Sequence, residues 1–261
     1  AGAPGTPGEK MKPTWHLPLA RNRLNKAWGE LTRAINQPSK KRAYQLSVAN
    51  RLFGQQNYGF LPEFLKITAQ DFGAGLEEVD FIKNTEGARK IINHWVEKET
   101  RDKIKDLLQP GVLTVDTRLV LTNAIYFKSA WMRNFDEKAT KPGKFKVSAD
   151  KAVKTPLMHG HIRTGLHQGK NFAMLELPYQ NGDLSMFVLL PREVNGLAEL
   201  EKQLTLDNLD QWTKNMGGYL VDVALPKFKV TAEFRLDQAL KSMGMKEAFS
   251  PGKADFTGMS S

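Results

Sequence analysis

Apolar residues recur at helical spacing in several segments and predict six helices. Residues 19–36 carry apolar side chains on one face and basic side chains on the other, as an amphipathic helix does. A second helix is predicted from Leu61 to Gly73, because Pro62 suits a first turn and Gly73 an exit. Thr85 is expected to cap a third. The apolar faces of the first and third helices are Leu24, Ala27, Trp28, Leu31 and Ile35, and Ala88, Ile91, Ile92 and Trp95; shorter helices are predicted at 197–204, 206–215 and 234–243.

Alternating and continuous apolar runs predict strands. Residues 119–127 (LVLTNAIYF) are apolar on both parities, with only Thr122 and Asn123 polar, which is typical of a strand buried on both faces. Because helices precede strands without a regular βαβ alternation, the order of elements predicts an α+β protein with large mixed or antiparallel sheets. The other predicted strands are 44–54, 153–158, 161–166, 172–178, 184–190 and 219–230.

Asn123 lies in the middle of the strand that we expect to be buried on both faces. A buried amide must be hydrogen-bonded, because an unpaired one costs about 1–3 kcal/mol. Two interpretations remain open. Asn123 is either a satisfied core amide or a polar latch between adjacent strands, at a place where a sheet can open.

Composition excludes several classes of protein. Hydrophobic residues make up 41% of the 261 positions and charged residues 25%, which is ordinary for a globular chain and argues against a disordered or collagen-like one. There are no cysteines, so disulfides, thiolate zinc sites and cysteine nucleophiles are excluded, while the cellular compartment stays open. Residues 1–18 are rich in Gly and Pro and are expected to form a flexible linker.

The positive charge is concentrated near one end. The net charge is +10, and ten basic residues against Glu9 and Glu30 give residues 1–51 a charge of +8. This end is expected to attract polyanions such as nucleic acid, sulfated sugar or anionic lipid. The alternative is a solvated helix face that only keeps the chain soluble. The candidate polyanion-binding residues are Arg23, Lys26 and Arg33 on the predicted helix, interrupted by Glu30, and then Lys40, Lys41 and Arg42.

Motifs for catalysis or metal binding are missing from the sequence. It contains no Gly-X-Ser-X-Gly elbow and no Walker loop, and in Gly73-Ala74-Gly75 the third glycine of a dinucleotide motif is replaced by Glu78. The best metal candidates are His159, His161 and His167, but no acidic residue lies in their segment, which favours a polar hairpin face. We therefore predict no metal, no cofactor and no enzymatic activity.

Ordered motifs spread over residues 19–261 share a pattern with one known family. They include VANRLF (48–53), LPEFL (61–65), INHWV (92–96), NAIYFK (123–128) with Trp131, LPY (177–179) and LPKF (225–228). Together they resemble the serpins, the serine protease inhibitors. The resemblance implies an α+β fold with sheets A, B and C and surrounding helices. It also implies a partial serpin domain over residues 19–261, incomplete at both ends, with helices A to C and the reactive-centre loop outside this chain.

The resemblance implies a mechanism and partners. A serpin is a metastable monomer, is not a membrane protein, and traps a serine protease, or in some members a cysteine protease, when its cleaved loop inserts into sheet A. The alternatives are a non-inhibitory serpin acting as carrier, chaperone or structural protein, or a polyanion-binding protein. An extracellular location is expected, with the cytoplasm as the alternative.

The resemblance also assigns individual residues. Asn123 matches the asparagine of the serpin shutter. Trp131, Tyr179 and Lys227 match the breach, where the lysine pairs with a glutamate at the base of the reactive loop. Residues 19–36 align with helix D, where some serpins bind heparin-like glycosaminoglycans.

Overall fold

The computed structural model of the protein describes residues 21–37, 43–230, 237–250 and 253–260. Backbone contacts divide the chain into two compact units. The first contains the described residues of Ala1–Ser39, Gln45–Phe127 and Glu233–Ser261, and the second those of Lys40–Tyr44 and Lys128–Ala232. The predicted linker at residues 1–18 lies outside the described residues. No helix in the described ranges is both long and apolar enough to cross a bilayer.

The first unit is built on a three-stranded sheet. Its elements are α1 (Arg21–Asn36), β1 (Tyr44–Gln55), α2 (Pro62–Phe72), β2 (Gly75–Val79), α3 (Thr85–Glu99), β3 (Leu119–Ser129) and α6 (Asp237–Ser242). The strand order is β2-β1-β3, and β1 runs parallel to β2, with Arg51 opposite Gly75 and Gln55 opposite Val79. The predicted strands at 44–54 and 119–127 are therefore confirmed, each extended by one or two residues.

The helix boundaries follow from local sequence. Pro62 occupies the first turn of α2, and Gly73 ends it in the left-handed conformation at φ 63°, as predicted. The cap of α3 is one residue earlier than predicted, because the Asn84 side chain, not Thr85, accepts a hydrogen bond from the Gly87 N–H at 3.0 Å. The Thr85 hydroxyl instead donates to the Phe81 carbonyl at 2.6 Å.

Helix α1 is confirmed, but its predicted apolar face is only partly covered in the described structure, where Leu24 and Ile35 are half-buried. Trp28 and Leu31 are 46% and 49% exposed, whereas Asn25 and Gly29 are buried. A Cβ at Gly29 would lie 2.3 Å from the Asp71 carbonyl oxygen, so α1 approaches the end of α2 too closely for any side chain. Backbone proximity, not apolar periodicity, therefore decides which side of this helix is buried.

Strand β1 places successive side chains in two different apolar clusters, as the two-residue period of a strand requires. Phe53 is fully buried against β2 and α3, and Leu52 packs on the opposite side with α2. The first cluster is Phe53, Val79, Phe81, Ala88, Ile92 and Leu113, and the second is Leu52, Phe64 and Ala74.

The prediction that β3 is buried on both faces is wrong for the described residues. Thr122, Ala124 and Tyr126 are buried, but Asn123 is exposed, and so is Leu121 at 68%. Because residues of a strand alternate between its faces, one face of β3 is covered and the other is open in the described structure.

The second unit is an antiparallel sheet with two helices. Its elements are β4 (Lys141–Lys146), β5 (Ala152–Gln168), β6 (Phe172–Pro178), β7 (Ser185–Pro191), α4 (Leu197–Gln203), α5 (Leu206–Lys214) and β8 (Gly217–Pro226). The order is β4-β5-β6-β7, with β8 paired to β5. Two separately predicted strands are one continuous β5, and β4 was not predicted. Helices with a mixed sheet and an antiparallel one confirm the α+β class.

Candidate functional site

A pair of asparagines links two strands of the first sheet. The Asn123 amide in β3 donates to the Asn50 side-chain oxygen in β1 at 2.7 Å, and the Asn50 amide donates to the Phe72 carbonyl at 3.2 Å. Asn50 is half-buried, and it extends the polar connection to the end of α2. Of the two interpretations of Asn123, the structure therefore shows a contact between adjacent strands and not a buried core amide.

An apolar cavity lies beside the asparagine pair. It has a volume of ≈190 Å³ and is lined by Asn50 together with Leu52, Phe64, Phe72, Leu121 and Met259. On the covered face of β3, the Thr122 hydroxyl is buried without a hydrogen-bond partner in the described part of the chain. Buried polar groups are rarely left unpaired, so the Thr122 hydroxyl is an exception on the covered face of β3, while the cavity lies on its open face.

The segment that follows α3 carries residues that the sequence did not single out. Arg101 and Asp102 have positive φ angles of 51° and 59°, a conformation that non-glycine residues rarely adopt. The Arg101 guanidinium lies 4.8 Å from the centre of the Tyr126 ring in β3. Farther along, the Asn93 side chain in α3 exchanges two hydrogen bonds with the Leu108 backbone. These contacts hold the first half of the connection between α3 and β3 in place.

In the second unit, the structure brings two of the predicted breach residues together. Trp131 and Tyr179 form an antiparallel bridge, and their rings stack with centroids 4.7 Å apart and planes 9° apart. Phe135 meets the Trp131 ring edge-on at 6.4 Å. Burial raises the pKa of the Tyr179 hydroxyl above its ordinary value. The resemblance to the serpins assigned both residues to the breach, but it did not predict that their rings stack.

Lys227 comes directly after β8. Its side chain is exposed, and its backbone N–H donates to the Pro156 carbonyl at 2.8 Å. Its ammonium group makes no ion pair with any of the residues that the structure describes. Among the described residues, Lys227 also makes no cation–π contact with Trp131 or Tyr179.

The basic residues of α1 form the predicted outward-facing stripe only in part. Arg23 and Lys26 are exposed. Arg33 is also exposed, but its guanidinium donates to the Gln70 carbonyl in α2 at 3.1 Å, so it also holds the two helices together. Lys40, Lys41 and Arg42 lie outside the described residues.

The three histidine candidates on β5 each have a different neighbour. His161 has its Nδ1 2.5 Å from an Asp222 carboxylate oxygen on β8, an acidic neighbour that its own segment does not supply. His159 is exposed on β5 opposite Ala224, and the His167 ring lies 5.8 Å from the Phe172 ring. Over the described ranges, no three His, Cys, Asp or Glu residues are grouped to hold a metal ion.

Comparison with known proteins decides the family. A sequence model described as "Serpin (serine protease inhibitor)" matches residues 1–261. The chain belongs to the serpin family. This serpin is 38% identical to the leukocyte elastase inhibitor of Homo sapiens, over 99% of this chain and 70% of that protein. The same protein of Xenopus laevis gives the same three values, and Serpin B4 of Homo sapiens is 41% identical over 94% of this chain and 63% of that protein.

Solved structures agree with the sequence comparison. Ovalbumin from emu superimposes with a TM-score of 0.93 at 30% identity, over 99% of this serpin and 70% of that chain. Cleaved kallistatin complexed with heparin gives 0.90 at 29% identity, over 99% of this serpin and 76% of that chain. The resemblance inferred from the motifs and the α+β serpin fold are thus confirmed. Two of these relatives are named as elastase inhibitors, which together with the family match supports a serpin-type protease inhibitor.

Proposed function

We propose that this serpin inhibits a serine protease by inserting its cleaved reactive-centre loop into the sheet that contains β1 and β3. The observation that carries the proposal is the match to leukocyte elastase inhibitors, 38% identical over 99% of this chain. An elastase-type protease is therefore the first target to test. In the trap, the protease serine attacks the loop as it would a substrate and is held as an acyl-enzyme while the loop becomes a strand.

The geometry of β3 supports loop insertion. β3 belongs to the same sheet as β1, and an extended segment can join such a sheet as a strand through main-chain hydrogen bonds. We assign Asn123 to the shutter, because its bond to Asn50 ties β3 to its neighbour near the middle of the strand. We assign Trp131, Tyr179 and Lys227 to the breach on the strength of the matched motifs and of the stacked pair.

Inhibition is tested by incubating the native gene product that contains this sequence with pancreatic or leukocyte elastase. The expected result is a complex that survives boiling in SDS, with the summed mass of the two proteins less the serpin fragment that follows the cleaved bond. Cleavage without a stable complex would contradict inhibition and would favour a non-inhibitory carrier, chaperone or structural serpin. A catalytically inactive serine-to-alanine elastase is the control, since it cannot form the acyl bond.

A second candidate function is polyanion binding through α1. It is supported by the exposed Arg23 and Lys26 and by the structural likeness to kallistatin, whose solved structure holds heparin. Arg23→Ala with Lys26→Ala should lower the salt concentration at which the protein leaves a heparin column. Arg33→Ala is a poorer test because Arg33 also bonds α2. An extracellular location belongs to this proposal, and detection of the protein in the culture medium of cells that express it tests that location.

A further inference from the structure

We propose that the hairpin formed by β4 and β5 is a separate binding surface for a sulfated polysaccharide. This surface, the lysine hairpin, consists of Lys144, Lys146, Lys151 and Lys154. All four side chains are exposed. It belongs to the second unit, whereas the basic helix α1 belongs to the first.

The sheet register brings these charges together. Lys144 lies directly opposite Lys154, and Lys146 lies opposite Ala152. Directly opposed residues of an antiparallel pair share one face, with Cβ atoms about 4.5–5.5 Å apart. Lys144 and Lys146 are two residues apart in one strand and therefore share that face as well. Three ammonium groups are thus presented in one direction by a rigid ladder, and Lys151 follows at the turn.

The charges of the lysine hairpin are not neutralised by nearby acids. None of its lysines forms an ion pair within the described residues. Asp150, in the turn, is the only acidic residue between Lys141 and Lys154. Like charges directly opposed on adjacent strands destabilise a sheet. An anion that binds between Lys144 and Lys154 relieves this repulsion, so the folded hairpin is prepared for a ligand of negative charge.

The surroundings of the lysines favour a sulfated polysaccharide over other polyanions. The neighbours that share their face are Pro142, Pro156 and Ala152, which offer no aromatic or guanidinium plane on which bases could stack. The exposed apolar pair Phe145 and Val153 lies on the opposite face, so a bilayer could not contact both at once. The lysine ammonium is a compact charge whose three N–H donors can rotate. It can therefore bind the oxygens of sulfate esters in many orientations.

The test compares two variants of the full chain on immobilised heparin. Lys144→Ala with Lys154→Ala removes two charges from the lysine hairpin, and Lys202→Ala with Lys214→Ala removes two exposed, ion-paired charges from α4 and α5. The hairpin variant should lose about two units of the slope of log Kd against log salt, about one per lysine. Its affinity at physiological salt should fall by about tenfold or more. The control variant should keep the salt slope and the affinity of the native protein. The variant Lys144→Arg with Lys154→Arg should also bind heparin, because it keeps both positive charges.

A second measurement separates lost binding from lost folding. Because the substitution removes repulsion, the melting temperature of the hairpin variant should stay the same or rise while its heparin affinity falls. Equal loss of affinity in the hairpin and control variants, or no loss in either, would overturn the proposal. So would an equal loss of affinity for single-stranded DNA or phosphatidylserine vesicles, since the surface would then not select sulfated sugars.

The variants also distinguish the lysine hairpin from α1. If Arg23→Ala with Lys26→Ala abolishes retention and the hairpin variant binds normally, the hairpin proposal is wrong and the α1 proposal stands. If only the hairpin variant loses retention, the α1 proposal is wrong instead.

Discussion

The strands of the two sheets in this serpin are joined by different kinds of side-chain contact. In the first unit, β1 and β3 are hydrogen-bonded neighbours in the sheet, and an exposed bond between Asn50 and Asn123 joins their side chains. In the second, β5 and β8 pair continuously over residues 157–166, and Ile162 and Val223 pack in the apolar cluster beneath them. Water can replace an exposed amide bond, but it cannot replace apolar contact. The side-chain link across the first sheet is therefore the one that water can replace at lower cost.

The largest effect is expected where the first sheet does have a dense core. Phe53→Ala should lower the free energy of unfolding by about 3–5 kcal/mol, because Phe53 is fully buried and truncation leaves a cavity. Urea denaturation measures the change, and Phe53→Leu should cost much less. If alanine at this position were tolerated as well as leucine, Phe53 would not be tightly packed on the α3 side of β1.

A smaller effect is expected for the aromatic stack of the second unit. Trp131→Ala should cost about 2 kcal/mol, since a half-buried ring loses both its apolar contact and its stacking on Tyr179. Tyr179→Phe keeps the ring and should cost less than about 1 kcal/mol. Urea midpoints compare the two, and equal costs would mean that the hydroxyl, not the stack, stabilises this region.

The asparagine pair should contribute less than the stack. A double-mutant cycle with Asn50→Ala and Asn123→Ala should give a coupling free energy of about 0.5–1 kcal/mol, because the bond joins neutral groups and Asn123 is exposed. A coupling free energy above about 2 kcal/mol would contradict the view that the link between Asn50 and Asn123 is weak. The single variant Asn50→Ala also loses the bond to Phe72, so only the cycle isolates the pair.

The smallest effect is expected for Asp80, which follows β2. The backbone N–H of Lys83 donates to its carboxylate at 2.9 Å and lowers the pKa of that group. Because the pKa is lower in the folded state, the stabilisation is present above the unfolded value of about 3.9 and is lost as the pH falls through the folded value. Melting temperatures between pH 7 and pH 2.5 should fall less steeply below pH 4 for Asp80→Asn than for the native protein, and parallel profiles would refute this role.

What could be predicted from the sequence was local. The periodicity of α2, its Pro62 and its Gly73 define one helix without help from the rest of the chain. Asn123 stood out because it is polar within an apolar run. Its partner Asn50 lies 73 residues away in sequence, and only the three-dimensional structure shows that the two side chains meet. The same holds for His161 and Asp222, which only the register of β5 and β8 brings together.

The errors have physical causes too. β4 was missed because Pro142 and Gly143 disfavour a strand, and pairing with β5 overrides that preference. The burial of β3 was overestimated, because a run that is apolar on both parities does not show which of its faces the described elements cover.

The close approach of α1 to α2 has a consequence for how the chain tolerates variation. Position 29 lies outside the apolar clusters, yet every side chain larger than hydrogen would collide with the Asp71 carbonyl. In a library of all single substitutions, Gly29 should therefore rank among the least replaceable positions. Its large, half-exposed neighbour Trp28 should accept many residues. Along this helix, side-chain size is a poor guide to substitutability.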